Sequence, residues 1–170
     1  MISARSFPNL TLSFAALVIL ILSGCTKYND FEGEVYDCDC GSMVWDGRDV
    51  TLRLAEVVSL DDSAVRYHIV ADVRTQAELD AQIDPRDVSI AWTVNLEGSN
   101  TNLTASQGDP NLMVEQIDAP GVGTPWNIAG AQATVTTSTL DHTMSLTQLN
   151  VSRGGVVVTA SGEFTFDLVD

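Results

Sequence analysis

Apolar and polar residues alternate through most of the chain after residue 34. Val88, Ile90, Trp92, Val94 and Leu96 form the cleanest period-two run, with Ser89, Thr93, Asn95 and Glu97 on the other parity. Such a run is a strand with one buried and one wet face. Val65, Tyr67, Ile69, Ala71 and Val73 alternate with Arg66, His68, Asp72 and Arg74 in the same way. Upstream, Val50, Leu52, Leu54, Val58 and Leu60 oppose Thr51, Arg53 and Ser59, with an interruption at Glu56. This predicts a strand burying the first set, joined to the next through Asp61-Asp62-Ser63 as a long hairpin. At the end of the chain, Val156, Val158, Ala160, Gly162, Phe164, Phe166 and Leu168 alternate with Val157, Thr159, Ser161, Glu163, Thr165 and Asp167. That run reads as one long strand, and Gly162 stays in step with it.

Shorter signals complete the pattern. Glu34–Cys38 is a first short strand, and Ser42–Trp45 runs into Asp46-Gly47, a dipeptide that favours a tight hairpin turn. Leu112–Ile117, the Ala/Thr-rich residues 127–137, and Thr143–Val151 before the turn Arg153-Gly154-Gly155 are further strands. Gly98–Asn102 and the Pro/Gly-rich residues 118–126 read as loops. One helix is predicted. Thr75-Gln-Ala-Glu78 has capping-box spacing, Leu79 and Ile83 share a face, and Asp84-Pro85 ends it. So short a helix is expected to need packing, and to cross between sheets. About nine strands with turns at roughly 8–12-residue spacing predict an all-β, antiparallel sandwich, immunoglobulin-like or related, over residues 35–170.

The first 24 residues are of another kind. Arg5 is their only charged side chain, and Leu10–Leu22 carries no charge over 13 residues. A positive n-region before an apolar run of this length is a signal peptide, since a spanning helix needs roughly 20 residues. The run ends at Leu22-Ser23-Gly24-Cys25, which resembles the lipobox of bacterial lipoproteins at all four positions. The resemblance implies a diacylglyceryl thioether on Cys25, cleavage before it, and a membrane partner held through lipid. Two or three acyl chains anchor stably where one does not. Thr26 in place of Asp resembles the outer-membrane type. Residues 25–34 would be the lipidated cysteine and a polar tether. The run VVVTASGEFTFDL after its turn loosely resembles the last strands of small β-rich envelope lipoproteins, over about the last 30 residues.

Charge narrows the partners. The chain carries 8 basic and 23 acidic residues, a formal net charge of −15. Such a surface repels phosphate backbones, so nucleic acid is not an expected partner. Lys27 is the only lysine, and abundant short carboxylates with almost no lysine resemble the composition of salt-adapted proteins.

Candidate chemistry is sparse. Cys38-Asp39-Cys40 can form a local disulfide outside the cytoplasm, remain as free or intermolecular thiols, or contribute to a metal site. His68 and His142 lack ligand spacing to the cysteines, so no metal site or cofactor is expected. Asp37, Asp39, Asp46 and Asp49 are only fragments of calcium-loop spacing. Trp92 falls on the core parity. Trp45 beside a turn and Trp126 at the end of a Pro/Gly loop are the candidates for a ligand-facing surface, because indoles stack on sugar rings. No nucleophile elbow, zincin motif or phosphate loop occurs, so an enzyme is not expected. The sequence is therefore read as a lipid-anchored, non-catalytic binding module of the cell envelope with a protein or glycan partner. An assembly accessory is the alternative, and an envelope-glycan hydrolase ranks third.

Overall fold

A computed structural model describes residues 38–61, 63–119, 122–138 and 141–169, and the two-residue strands β1 (Tyr28–Asn29) and β2 (Glu34–Val35). The leader 1–24 and Cys25 lie outside the described residues. β1 and β2 pair with each other and form a sheet of their own.

The fold is all-β. Ten strands follow: β3 (Gly41–Trp45), β4 (Arg48–Ser59), β5 (Ala64–Asp72), β6 (Asp87–Asn95), β7 (Asn100–Ser106), β8 (Leu112–Ala119), β9 (Val122–Pro125), β10 (Asn127–Thr137), β11 (His142–Arg153) and β12 (Val156–Val169). Their pairing is continuous in the order β7-β10-β11-β12-β3-β4-β5-β6-β8-β9. Neighbours are antiparallel, and one parallel contact is added where Asp167–Val169 of β12 runs beside Glu56–Val58 of β4. Side chains from strands far apart in this order share one core. Tyr67 of β5 packs on Phe166 of β12, with ring centroids 4.8 Å apart, and hydrogen-bonds to His142 of β11 at 2.8 Å.

Local chemistry explains the turns. Asp46 and Gly47 take φ of 53° and 73°, and Trp45 pairs with Arg48, so the hairpin is the two-residue type the dipeptide favours. Arg153 pairs with Val156 across Gly154-Gly155. The inward sets of β5 and β6 are those the alternation predicts: Val65, Tyr67, Ile69, Ala71 and Val73, then Val88, Ile90, Trp92 and Val94, are all buried.

Four expectations are corrected. In β4 the register against β5 slips between Leu52 and Leu54. The extra residue is a β-bulge, and it exchanges the two faces. Beyond Arg53, which is buried against Asp72, Ala55 and Val57 turn inward, whereas Leu54 and Val58 are half-buried and Leu60 is exposed. The helix α1 (Gln76–Asp80) has its capping box, yet buries no residue and joins β5 to β6, which are neighbours in the sheet. Polar ties hold it in place of packing: Arg86 Nη2 lies 2.5 Å from Glu78 Oε1, and Arg74 Nη1 donates to the Ile83 carbonyl at 2.6 Å. Residues 100–102, read as loop, open strand β7. Residues 122–125, also read as loop, form β9 against β8.

Candidate functional site

Cys38 and Cys40 are joined as a disulfide with Cα atoms 5.1 Å apart. The Cys38 amide donates to the Leu52 carbonyl at 3.2 Å, and the Thr165 amide donates to the Cys40 carbonyl at 2.9 Å. The bridge therefore sits where β4 and β12 converge. Gly41 follows with φ of 126°, and a Cβ there would lie 1.9 Å from the Glu163 carbonyl oxygen. Only glycine lets the chain leave Cys40 so close to β12.

Trp45 and Trp126 are brought together, but not as a displayed surface. Their rings meet edge to face, with centroids 5.6 Å apart and an interplanar angle of 82°. Trp45 is 4% exposed, because the hairpin turn closes β3 and β4 with its side chain on the core parity. Trp126 is half-buried against the same core, and the Arg153 guanidinium lies 4.8 Å from its ring centroid. The Trp126 indole N–H is buried without a hydrogen-bond partner. Arg153 continues to the Gln116 side-chain oxygen at 2.5 Å, tying β11 to β8.

The strongest charges are internal. Arg53, the extra residue of the bulge and buried, donates from Nη2 to Asp72 Oδ2 at 2.6 Å. Arg74 Nη2 reaches the same oxygen at 2.6 Å. Burial pushes the Asp72 carboxyl up, but hydrogen bonds from the Arg74 side chain and backbone, with the charge of Arg53, outweigh it and hold it below the usual range. Asp87 fares differently. Its Oδ1 lies 2.8 Å from Arg53 Nε, a charge pair. Burial dominates there and raises the Asp87 carboxyl despite Arg53.

The two histidines have side-chain partners. His68 bridges Glu56 Oε1 and Ser89 Oγ, each at 3.0 Å. His142 Nδ1 meets the Tyr67 hydroxyl, and burial lowers the imidazole below its ordinary value. Among the described residues no group of three or more His, Cys, Asp and Glu side chains is placed to hold a metal ion. No described helix is long and apolar enough to cross a membrane.

A cleft of about 280 Å³ lies between the end of β6 and strand β7, lined among others by Trp92, Asn95, Glu97, Thr101, Asp109 and Asn111. The Thr93 amide donates to the Asn111 carbonyl at 2.8 Å, which holds the 109–111 segment against β6. The Glu97 amide donates to Thr101 Oγ1 at 3.0 Å, which sets the crossing from β6 to β7. Amides, hydroxyls and two carboxylates thus converge on an open, polar recess. Sequence reading missed this site because it read the start of β7 as loop. The alternation Asn100, Asn102, Thr104 against Thr101, Leu103, Ala105 was the available signal, weakened by its single large apolar residue.

No protein-family model, no curated protein and no solved structure matches this chain.

Proposed function

We propose that the chain is a lipid-anchored lipoprotein of the cell envelope, on the outer membrane, whose β domain is a non-catalytic binding module. The observation that carries the anchor is Leu22-Ser23-Gly24-Cys25 at the end of 13 uncharged residues. With a net charge of −15, attachment to an anionic bilayer needs lipid and not a basic patch. What supports binding is the cleft between β6 and β7, an open recess lined by polar side chains and two carboxylates, whereas the charges around Arg53 are paired with one another. Burial of Trp45 removes the aromatic patch that would have served a glycan, so the binding surface moves to this cleft.

Labelling cells with a palmitate analogue tests the anchor: label is expected on the wild-type chain and absent from Cys25→Ser. Equal labelling of both contradicts it. Crosslinking at the cleft followed by identification of the captured molecule tests the module, with Asn111→Arg as the blocked control.

The same cleft favours one second reading. Glu97 and Asp109 both line it, and glycan hydrolysis needs two carboxylates across a substrate. Release of sugar from envelope glycan by the wild type, lost in Glu97→Gln and in Asp109→Asn, would establish the hydrolase and displace the non-catalytic reading.

A further inference from the structure

The sheet ends in two strands of opposite character. β9 is four residues long and contains Gly123 and Pro125. Short length and proline are standard protections of a sheet edge. β7 is seven residues long, Asn-Thr-Asn-Leu-Thr-Ala-Ser, with no proline, no charge and no register shift against β10. Among the described residues no strand pairs with its other side.

The register says which backbone groups that side presents. The Thr137 amide donates to the Ser99 carbonyl at 2.9 Å, and Thr136 pairs with Asn100. Antiparallel ladders alternate bonded and non-bonded pairs. The amides and carbonyls of Thr101, Leu103 and Ala105 therefore face β10. Those of Asn100, Asn102 and Thr104 face away from it, beside the cleft. Two carboxylates flank this edge: Glu97 just before β7 and Asp109 just after it, both at the cleft.

We propose that the free edge of β7 is a docking strand for an extended, basic segment of a partner protein, which adds to the sheet through the Asn102 and Thr104 backbone and sets cationic side chains against Glu97 and Asp109. This deepens the binding-module reading and rests on it. Strand addition of this kind takes affinity from the main chain and specificity from pockets for alternate side chains. The polar cleft is such a pocket, suited to an arginine or lysine. A second copy of the chain fits poorly. The fullest antiparallel self-pairing sets Asn100 opposite Ser106, which sets Glu97 of each copy opposite Asp109 of the other. Like charges would face each other at both ends, between chains that each carry −15.

The test uses the full chain in detergent and a labelled synthetic peptide of alternating threonine and valine, long enough to span β7, with arginine at each end. Fluorescence anisotropy should show binding, roughly tenfold or more weakened when glutamate replaces both arginines, and weakened by salt. Thr104→Pro removes an outward amide that β10 does not use, so it should abolish binding and leave the melting temperature nearly unchanged. If that variant does not fold, amide exchange on the wild type decides: the peptide must slow Asn102 and Thr104. Absent binding, equal binding of both peptides, exchange unaltered at those two amides, or a peptide-independent dimer would each overturn the assignment. A cleft-crosslinked partner retained equally by folded Thr104→Pro would overturn the β7 assignment alone and leave the binding module standing.

Discussion

The Arg53 guanidinium touches the Asp72 carboxylate at 2.6 Å, and Arg53 is the extra residue of the bulge between Leu52 and Leu54. Arg53 keeps the face of Thr51, where Asp72 and Asp87 stand opposite each other, and is buried there. The cost of burying a charge is met here by two partners, Asp72 and Asp87, and by a second guanidinium from Arg74 on Asp72. Arg53→Met is expected to lower unfolding free energy by about 3 kcal/mol, the low end for breaking a buried ion pair, because Arg74 still holds Asp72. Urea denaturation of the two proteins measures it, and a loss within a few tenths of wild type would contradict the role given to the cluster.

The two acids of that cluster should respond to neutralisation with different strength. Asp72 ionises below the usual carboxylate range in the fold, so its contribution is full above the unfolded value of 3.8 and is lost as pH falls through the folded value. Asp87 is raised, so the sign reverses: its charge weighs against the fold as pH rises past 3.8, and protonation relieves it. At neutral pH, Asp72→Asn should therefore destabilise clearly more than Asp87→Asn. Thermal melts of both variants at pH 7 and near pH 4 check the order, and the gap should narrow at the acid end.

Elements fixed by short-range chemistry were legible in the sequence. Asp46-Gly47 forms its hairpin, Thr75 and Glu78 cap each other, and the alternation of β5 and β6 picks out their core-facing residues. Features that depend on a neighbouring strand were not. In β4 the interruption at Glu56 is the trace of the bulge, but Arg53 already sits on the polar parity and pairing with β5 is what locates the slip. Gly98–Asn102 reads as loop because it holds no apolar side chain, yet β10 pairs with Asn100–Asn102, and Thr134 and Thr136 donate to the Asn102 and Asn100 side chains. Trp45 was misjudged for a related reason. A residue next to a turn is exposed only if its parity faces out, and Met43 and Trp45 both face the core. Of the candidate site, the cysteine pair was visible as a local bridge, whereas the cleft arises from β6, β7 and the 109–111 segment meeting in space.

Gly41 should be far less replaceable than Gly47, although both have positive φ. A Cβ at Gly47 meets no atom within 4 Å, so alanine there suffers only from conformation. A Cβ at Gly41 meets the Glu163 backbone oxygen at 1.9 Å, and backbone in the middle of β12 cannot swing aside. Gly47→Ala is expected to cost about 1 kcal/mol. Gly41→Ala should cost several times more, with the loss appearing in the β3–β12 pairing. Chemical denaturation ranks the pair, and amide exchange at Thr165, which donates to the Cys40 carbonyl, locates the damage.

His142 gives the fold a stability that fades in mild acid. Its ring is partly buried beside Tyr67, whose hydroxyl lies 2.8 Å from Nδ1, and Phe166, the cross-strand partner of His142, packs on Tyr67 as well. Burial disfavours the imidazolium and lowers the group below its ordinary 6.5. Burial likewise raises the Tyr67 hydroxyl, which stays protonated and keeps a proton to donate. A group depressed in the fold binds its proton more readily when unfolded, so its contribution is complete above pH 6.5 and declines as pH falls below that value. Melting temperature should therefore drop on going from pH 7 toward pH 5. His142→Gln keeps a hydrogen-bonding side chain and cannot titrate, so its decline over the same window should be shallower than that of the wild type. Parallel curves for the two proteins would show that the acid response arises elsewhere in the sheet.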